Sequence, residues 1–171
     1  IRDSYYAGTL QGSEKNGKLY YRPDASMTRQ EFIVAMMRYL GTDLSAYASV
    51  QLPFDDSGSI ASWAKSAMRA AYQLGYLTGS KTNGKLLAKP GSTISRQEAM
   101  TILSRTKDFA DADLNVLSAF SDSGKIADWA RTALAQMTQQ KIISGSKGKL
   151  NPTGKVTRAE VAKMLYMLSE S

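Results

Sequence analysis

One short pattern constrains this chain more than anything else in it, because it occurs three times. Thr28-Arg29-Gln30-Glu31 returns as Ser95-Arg96-Gln97-Glu98 and again as Thr157-Arg158-Ala159-Glu160. An apolar residue stands just before each copy (Met27, Ile94, Val156), and a proline stands six positions before each arginine (Pro23, Pro90, Pro152). Each copy opens an apolar run of helical length. Recurrence at roughly 60–70 residues with the same local detail marks one unit used repeatedly, so the chain reads as an array.

The local physics of the pattern is legible. Thr28, Ser95 and Thr157 suit a helix N-cap, where a side-chain oxygen accepts from an orphaned backbone N–H. Glu31, Glu98 and Glu160 lie three positions on and can reach back to the cap's own N–H, completing a capping box, while Met27, Ile94 and Val156 sit where a hydrophobic staple would. The arginine is the discordant residue. In the first turn it meets the positive end of the helix dipole, which is unfavourable by about 0.3–1 kcal/mol. Three such placements call for a compensating negative charge, and two sources are open. One is an external anion held jointly by the arginine and the helix N-terminus. The other is an acidic side chain from a neighbouring repeat.

The spacing predicts a motif helix from about Arg29 to Leu40, with Phe32, Ile33, Met36, Met37 and Leu40 on its apolar face and Gly41 ending it. The methionines read as core filler. After a linker over 42–53, Phe54-Asp55-Asp56-Ser57-Gly58 leads into a second kind of helix reaching about Leu74, with the stripe Ile60, Trp63, Ala67, Ala71 and Leu74. Phe120-Ser121-Asp122-Ser123-Gly124 repeats this entry, with the stripe Ile126, Trp129, Ala133 and Met137. Asp56 and Asp122 precede Ser-Gly, where turn formation or helix entry accounts for them. A glycine-rich stretch, read as a turn or short hairpin-like prong, joins this helix to the next motif helix. The third prong has two fewer residues between Gly148 and Pro152 than the second has between Gly84 and Pro90. Residues 1–22 align with the same part of the second unit, so 1–7 are expected to end a helix with Gly8 near its C-cap. A helix pair cannot bury its apolar face alone, so the units must share a core.

The net charge of +7 favours anionic partners, and basic residues recur at matched places in the prongs: Lys15, Lys18 and Arg22; Lys81, Lys85 and Lys89; Lys147, Lys149 and Lys155. The chain has no cysteine and no histidine, which removes disulfides, thiolate and imidazole metal sites, and the commonest general base. No oxygen-ligand metal loop is recognisable. Asp55, Asp56 and Asp122 find no recognisable second carboxylate of the kind a glycosidase needs, so no catalytic residue, metal or cofactor is expected. No apolar run approaches the roughly 18 residues of a membrane span. Lysine and arginine do not line one helix and no nucleic-acid-binding motif is present, so nucleic acid is not expected as a partner. The start, Ile1-Arg2-Asp3, reads as a cut inside an element, so a piece of a larger protein is expected.

Taken in order, Phe-x-Asp, Ile, Trp-Ala, a glycine-rich loop, proline and Thr-Arg-x-Glu resemble the surface-layer homology (SLH) domain. Residues 54–106 and 120–168 each resemble a whole repeat, and 1–40 the rear two-thirds of one. The chain departs from the pattern in three ways: the front of the first repeat is absent, Ser95 replaces the usual threonine, and the third prong is short. The resemblance implies an all-α fold in which three helix–loop–helix repeats (1–44, 45–110 and 111–171) form one compact pseudo-three-fold domain around a central three-helix bundle. It implies a non-catalytic module at the bacterial cell surface, anchoring a secreted or surface-layer protein non-covalently to the wall. The implied ligand is a secondary cell-wall polysaccharide carrying pyruvate ketals, with a peptidoglycan-linked polymer as the variant, held in grooves between repeats without membrane insertion.

Carried onto this sequence, the ligand-binding residues are Arg29, Arg96 and Arg158 for the ketal carboxylate, Trp63 and Trp129 for sugar faces, and Gly79, Ser80, Gly145 and Ser146 for hydroxyl and backbone N–H contacts. Burial in the helix stripe is an equally open reading of the two tryptophans. With the front of the first repeat absent, at most two of the three grooves are expected to be complete. Arg96→Ala is expected to weaken wall binding with little loss of folding. The alternative function is a protein-interaction or assembly module of a surface layer, its basic prongs meeting an acidic partner or a neighbouring copy.

Overall fold

The computed structural model describes residue 10 and residues 12–170; the helix end expected at 1–7 lies outside the described residues. Five α-helices are described: α1 (Arg29–Tyr39), α2 (Lys65–Gln73), α3 (Arg96–Ser104), α4 (Asp128–Gln139) and α5 (Arg158–Ser169). Two antiparallel ribbons, β1 (Ser13–Lys15) with β2 (Lys18–Tyr20) and β3 (Ser80–Thr82) with β4 (Lys85–Leu87), are the prongs. Among the described residues the fold is thus helix-rich, with strand confined to these short ribbons and to isolated bridges.

All three capping boxes form as the spacing predicts. In α1 the Thr28 hydroxyl accepts from the Glu31 N–H, and the Glu31 carboxylate accepts from the Thr28 N–H at 2.7 Å. The next two orphan donors go elsewhere in the molecule: Arg29 N–H donates to Ser92 O at 2.9 Å and Gln30 N–H to Pro90 O at 3.0 Å. Likewise Arg96 and Gln97 of α3 donate to Gly154 O and Pro152 O, and Arg158 and Ala159 of α5 to Ala25 O and Pro23 O. The proline loop of one unit therefore caps the motif helix of another, which accounts for every N-terminal donor of the three helices.

The residues before the caps complete the arrangement. Met27 N–H donates to Val156 O, Val156 N–H to Ile94 O, and Ile94 N–H to Met27 O, at 3.3, 3.1 and 3.0 Å. These three bonds close a cycle through all three copies of the motif. The three side chains are buried, at 1% exposure or less, so the positions expected to staple single helices instead join three of them.

Helix packing follows the same order, with α1 lying against α2, α3 against α4, and α1 touching α5. Phe32–Met37 are all buried in α1, and each large side chain removed from water contributes about 1.5–3 kcal/mol. The facing helices bury mainly alanine (Ala67, Ala70 and Ala71; Ala130, Ala133 and Ala135), which lets their axes approach closely. The entry to α2 differs from the expected continuous helix. It is broken into 3₁₀ turns at Ser57–Ser59 and Ser62–Ala64, and the Ala61 N–H is taken by the Gln30 side chain at 3.0 Å. Trp63, in the 3₁₀ turn, and Trp129, in the first turn of the unbroken α4, are 57% and 58% exposed, which decides against their reading as core.

Asp56 and Asp122 correct a second expectation, since neither caps its own turn. Asp56 accepts from the Ala88 and Lys89 N–H groups at 2.8 and 2.7 Å, and Asp122 from Leu150 and Asn151 at 2.9 and 2.8 Å. Lys89 and Asn151 hold left-handed φ of 51° and 50° directly before the prolines. The carboxylates thus fix a strained loop whose carbonyls then cap a motif helix.

Candidate functional site

The motif arginines end up between units. Arg29 pairs with Glu98, and Arg96 with Glu160. The compensating charge in these copies is therefore the capping-box glutamate of the following unit, which divides its two oxygens. Glu98 Oε2 serves Ser95 while Oε1 takes Arg29, and Glu160 Oε2 serves Thr157 while Oε1 takes Arg96. Burial disfavours ionisation of Glu98, but the Ser95 N–H and the Arg29 charge outweigh it and hold the carboxyl below the usual range. The helix N-termini are not free to share an anion with the arginines, because loop carbonyls already occupy their donors.

The Nε–H groups distinguish the copies. Arg96 Nε donates to Leu150 O and Arg158 Nε to Tyr21 O, each at 2.8 Å, and the Arg158 guanidinium lies 5.2 Å from the centroid of the Tyr21 ring. Arg29 Nε is buried and has no partner. Truncating Arg96 would leave the Leu150 carbonyl short of a donor, so Arg96→Ala is expected to cost about 1–3 kcal/mol of stability besides any loss of binding.

Each arginine lines a cleft. The Arg29 cleft, of ≈ 310 Å³, brings Arg29, Gly79, Ser80 and Trp129 together with Glu98, Thr101 and Arg105. The Arg96 cleft, of ≈ 530 Å³, gathers Arg96, Gly145 and Ser146 with Lys147, Lys149, Glu160 and Lys163. The Arg158 cleft, of ≈ 290 Å³, sets Arg158 beside Trp63, with Leu10, Glu31, Val34 and Arg38. Tryptophan is thus present in two of the three, contributed by a unit other than those giving the arginine and the helix wall. Gly79 and Gly145 also have a structural duty: a Cβ on either would lie 2.6 Å from its nearest neighbour, Phe54 Cε1 for Gly79 and Lys149 O for Gly145.

Sequence reasoning missed one wall of each cleft. Counting from the cap glutamate, positions i+3, i+4 and i+7 of the motif helix face it: Val34, Ala35 and Arg38; Thr101, Ile102 and Arg105; Lys163 and Met164. The helical period anchored on the glutamate carries that signal.

The S-layer homology domain matches residues 53–100 and 119–162. The chain is 31% identical over 155 residues to an amylopullulanase of Thermoanaerobacterium thermosulfurigenes, covering 88% of this chain and 8% of that protein. It is 30% identical over 154 residues to exoglucanase XynX of Acetivibrio thermocellus, covering 88% and 13%. It is 29% identical over 183 residues to the surface-layer 125 kDa protein of Lysinibacillus sphaericus, covering 98% and 15%. The chain therefore spans a small part of each of these relatives.

Proposed function

The chain belongs to the S-layer homology domain family, and from that premise we propose that it anchors a larger protein non-covalently to the wall by holding an anionic, pyruvylated polysaccharide in its clefts. The family and the surface-layer relative make it a cell-surface, wall-attached module. No described helix is long and apolar enough to cross a membrane. We read the three repeats as one non-catalytic, pseudo-three-fold unit; the cycle of backbone bonds through Met27, Ile94 and Val156 supports that reading.

The observation that carries the ligand assignment is the Arg29 cleft. An indole that is 58% exposed lines the same cleft as the Arg29 guanidinium. An indole face suits the apolar face of a sugar ring, and a planar guanidinium suits a ketal carboxylate. Gly79 and Ser80 of the prong line the same cleft and could meet sugar hydroxyls.

Calorimetric titration with wall polysaccharide, before and after removal of its pyruvate, tests this. Binding should require the ketal, and Trp129→Ala should weaken it by more than about 1 kcal/mol while leaving the unfolding midpoint in place. Equal affinity for the depyruvylated polymer would refute the assignment.

A further inference from the structure

The three clefts are built alike but not charged alike. Among the described residues, Arg29 and Arg105 face Glu98 in the first, and Arg38 and Arg158 face Glu31 in the third. Among the described residues the Arg96 cleft sets Arg96, Lys147, Lys149 and Lys163 against Glu160. Two sequence differences produce this. At the i+3 position of the motif helix the series runs Val34, Thr101, Lys163, so only the third unit places a cation at i+3, whereas the first two units carry theirs at i+7 as Arg38 and Arg105. The short third prong then draws in the rest. It turns at Lys147-Gly148 and closes on one Ser146–Lys149 bridge, which sets Lys147 and Lys149 on the cleft. In the longer β3–β4 ribbon Lys81 and Lys85 stand out at the tip, away from the cleft.

The guanidinium here is already committed, with Nε on Leu150 O and Nη1 on Glu160. What the cleft offers a ligand is three exposed ammonium groups, none in an ion pair among the described residues. Ammonium groups act as compact point charges. Three of them on one cleft make a dense, geometrically undemanding positive field of the kind that holds phosphate as a point-charge contact. The geometry points to a division of labour: the Arg96 cleft takes a phosphate-bearing segment of an anionic wall polymer, while the two tryptophan-lined clefts take singly charged sugars. This rests on the reading that the clefts hold wall polymer, but its test does not depend on the pyruvylated glycan.

Amide chemical shifts of the whole chain would be followed while poly(glycerol phosphate) is added, and in parallel polygalacturonate, which carries one carboxylate per unit. The phosphate polymer should shift the amides of 145–151 and Lys163 saturably and ahead of those around Trp63 and Trp129. Polygalacturonate should bind these residues more weakly. The Lys147→Gln, Lys163→Thr double variant, altering two exposed side chains, should weaken phosphate-polymer binding by roughly tenfold, the sum of two surface charge contacts. Equal binding of both polymers at 145–151, perturbation spread evenly over the three clefts, or an unchanged double variant would each overturn the inference. Failure of the pyruvylated glycan to bind, with these shifts intact, would remove the ketal assignment and leave this one standing.

Discussion

Gly145→Ala tests whether the prong glycines are dictated by space or only by backbone angle. Gly145 holds φ +66°, and a Cβ there would lie 2.6 Å from Lys149 O and 2.9 Å from Phe120 Cε1. Gly148, in the same prong, holds φ +70° with nothing within 4 Å of its Cβ position. Alanine at either site incurs the left-handed penalty of about 1–2 kcal/mol. Only at 145 is there also a collision, and it is with atoms that cannot easily retreat. Lys149 O accepts from Ser146 N–H at 2.8 Å, and Phe120 is buried beneath. Overpacking of that kind adds about 1–3 kcal/mol. Gly148→Ala should therefore cost about 1–2 kcal/mol and Gly145→Ala about 2–5 kcal/mol. Urea unfolding followed by far-ultraviolet circular dichroism would give both values, provided the denaturant slopes match. A difference under about 0.5 kcal/mol would refute the steric argument and return Gly145 to a backbone-only role.

Two further outcomes follow from the carboxylates. Asp122→Asn leaves one acceptor oxygen for the two N–H groups of Leu150 and Asn151; the site is partly in water, so unfolding free energy should fall by about 1 kcal/mol, and no change would sink the loop-clamp role. The folded-state pKa of Glu98 is depressed, so its contribution is fully present above the ordinary glutamate pKa of about 4.3 and is lost as pH falls through the lower folded value. Glu98→Gln should flatten the stability curve in that acid window, and an unchanged slope there would contradict the ion-pair assignment.

What could be read from the sequence was what lies close along it. The capping boxes need partners three residues apart, so Thr28 with Glu31 and its two counterparts are visible without a structure. The hairpin prongs are signalled by Asn16-Gly17 and Asn83-Gly84, both residues of each pair holding positive φ. The partner of each arginine was not legible, because Glu98 lies 69 residues from Arg29 and serves its own cap as well. Asp56 and Asp122 looked like local turn formers because their acceptors are used some 28–33 residues away. The tryptophans were ambiguous for a different reason. A 3.6-residue stripe extrapolated back through Trp63 and Trp129 treats them as helix interior, whereas both stand where the helical segment begins, Trp63 in a 3₁₀ turn and Trp129 at the second residue of α4, and both are exposed.

The cycle of backbone bonds through Met27, Ile94 and Val156 also sets how such modules can be multiplied. In a stacked solenoid each end presents an open face, and further repeats can be added one at a time. Here every donor in the cycle already meets an acceptor within it, so the cycle itself offers no open N–H for a fourth copy. A longer array of the same unit would therefore partition into separate trios. Attachment strength would grow by whole modules, each adding its own set of clefts, rather than by single repeats.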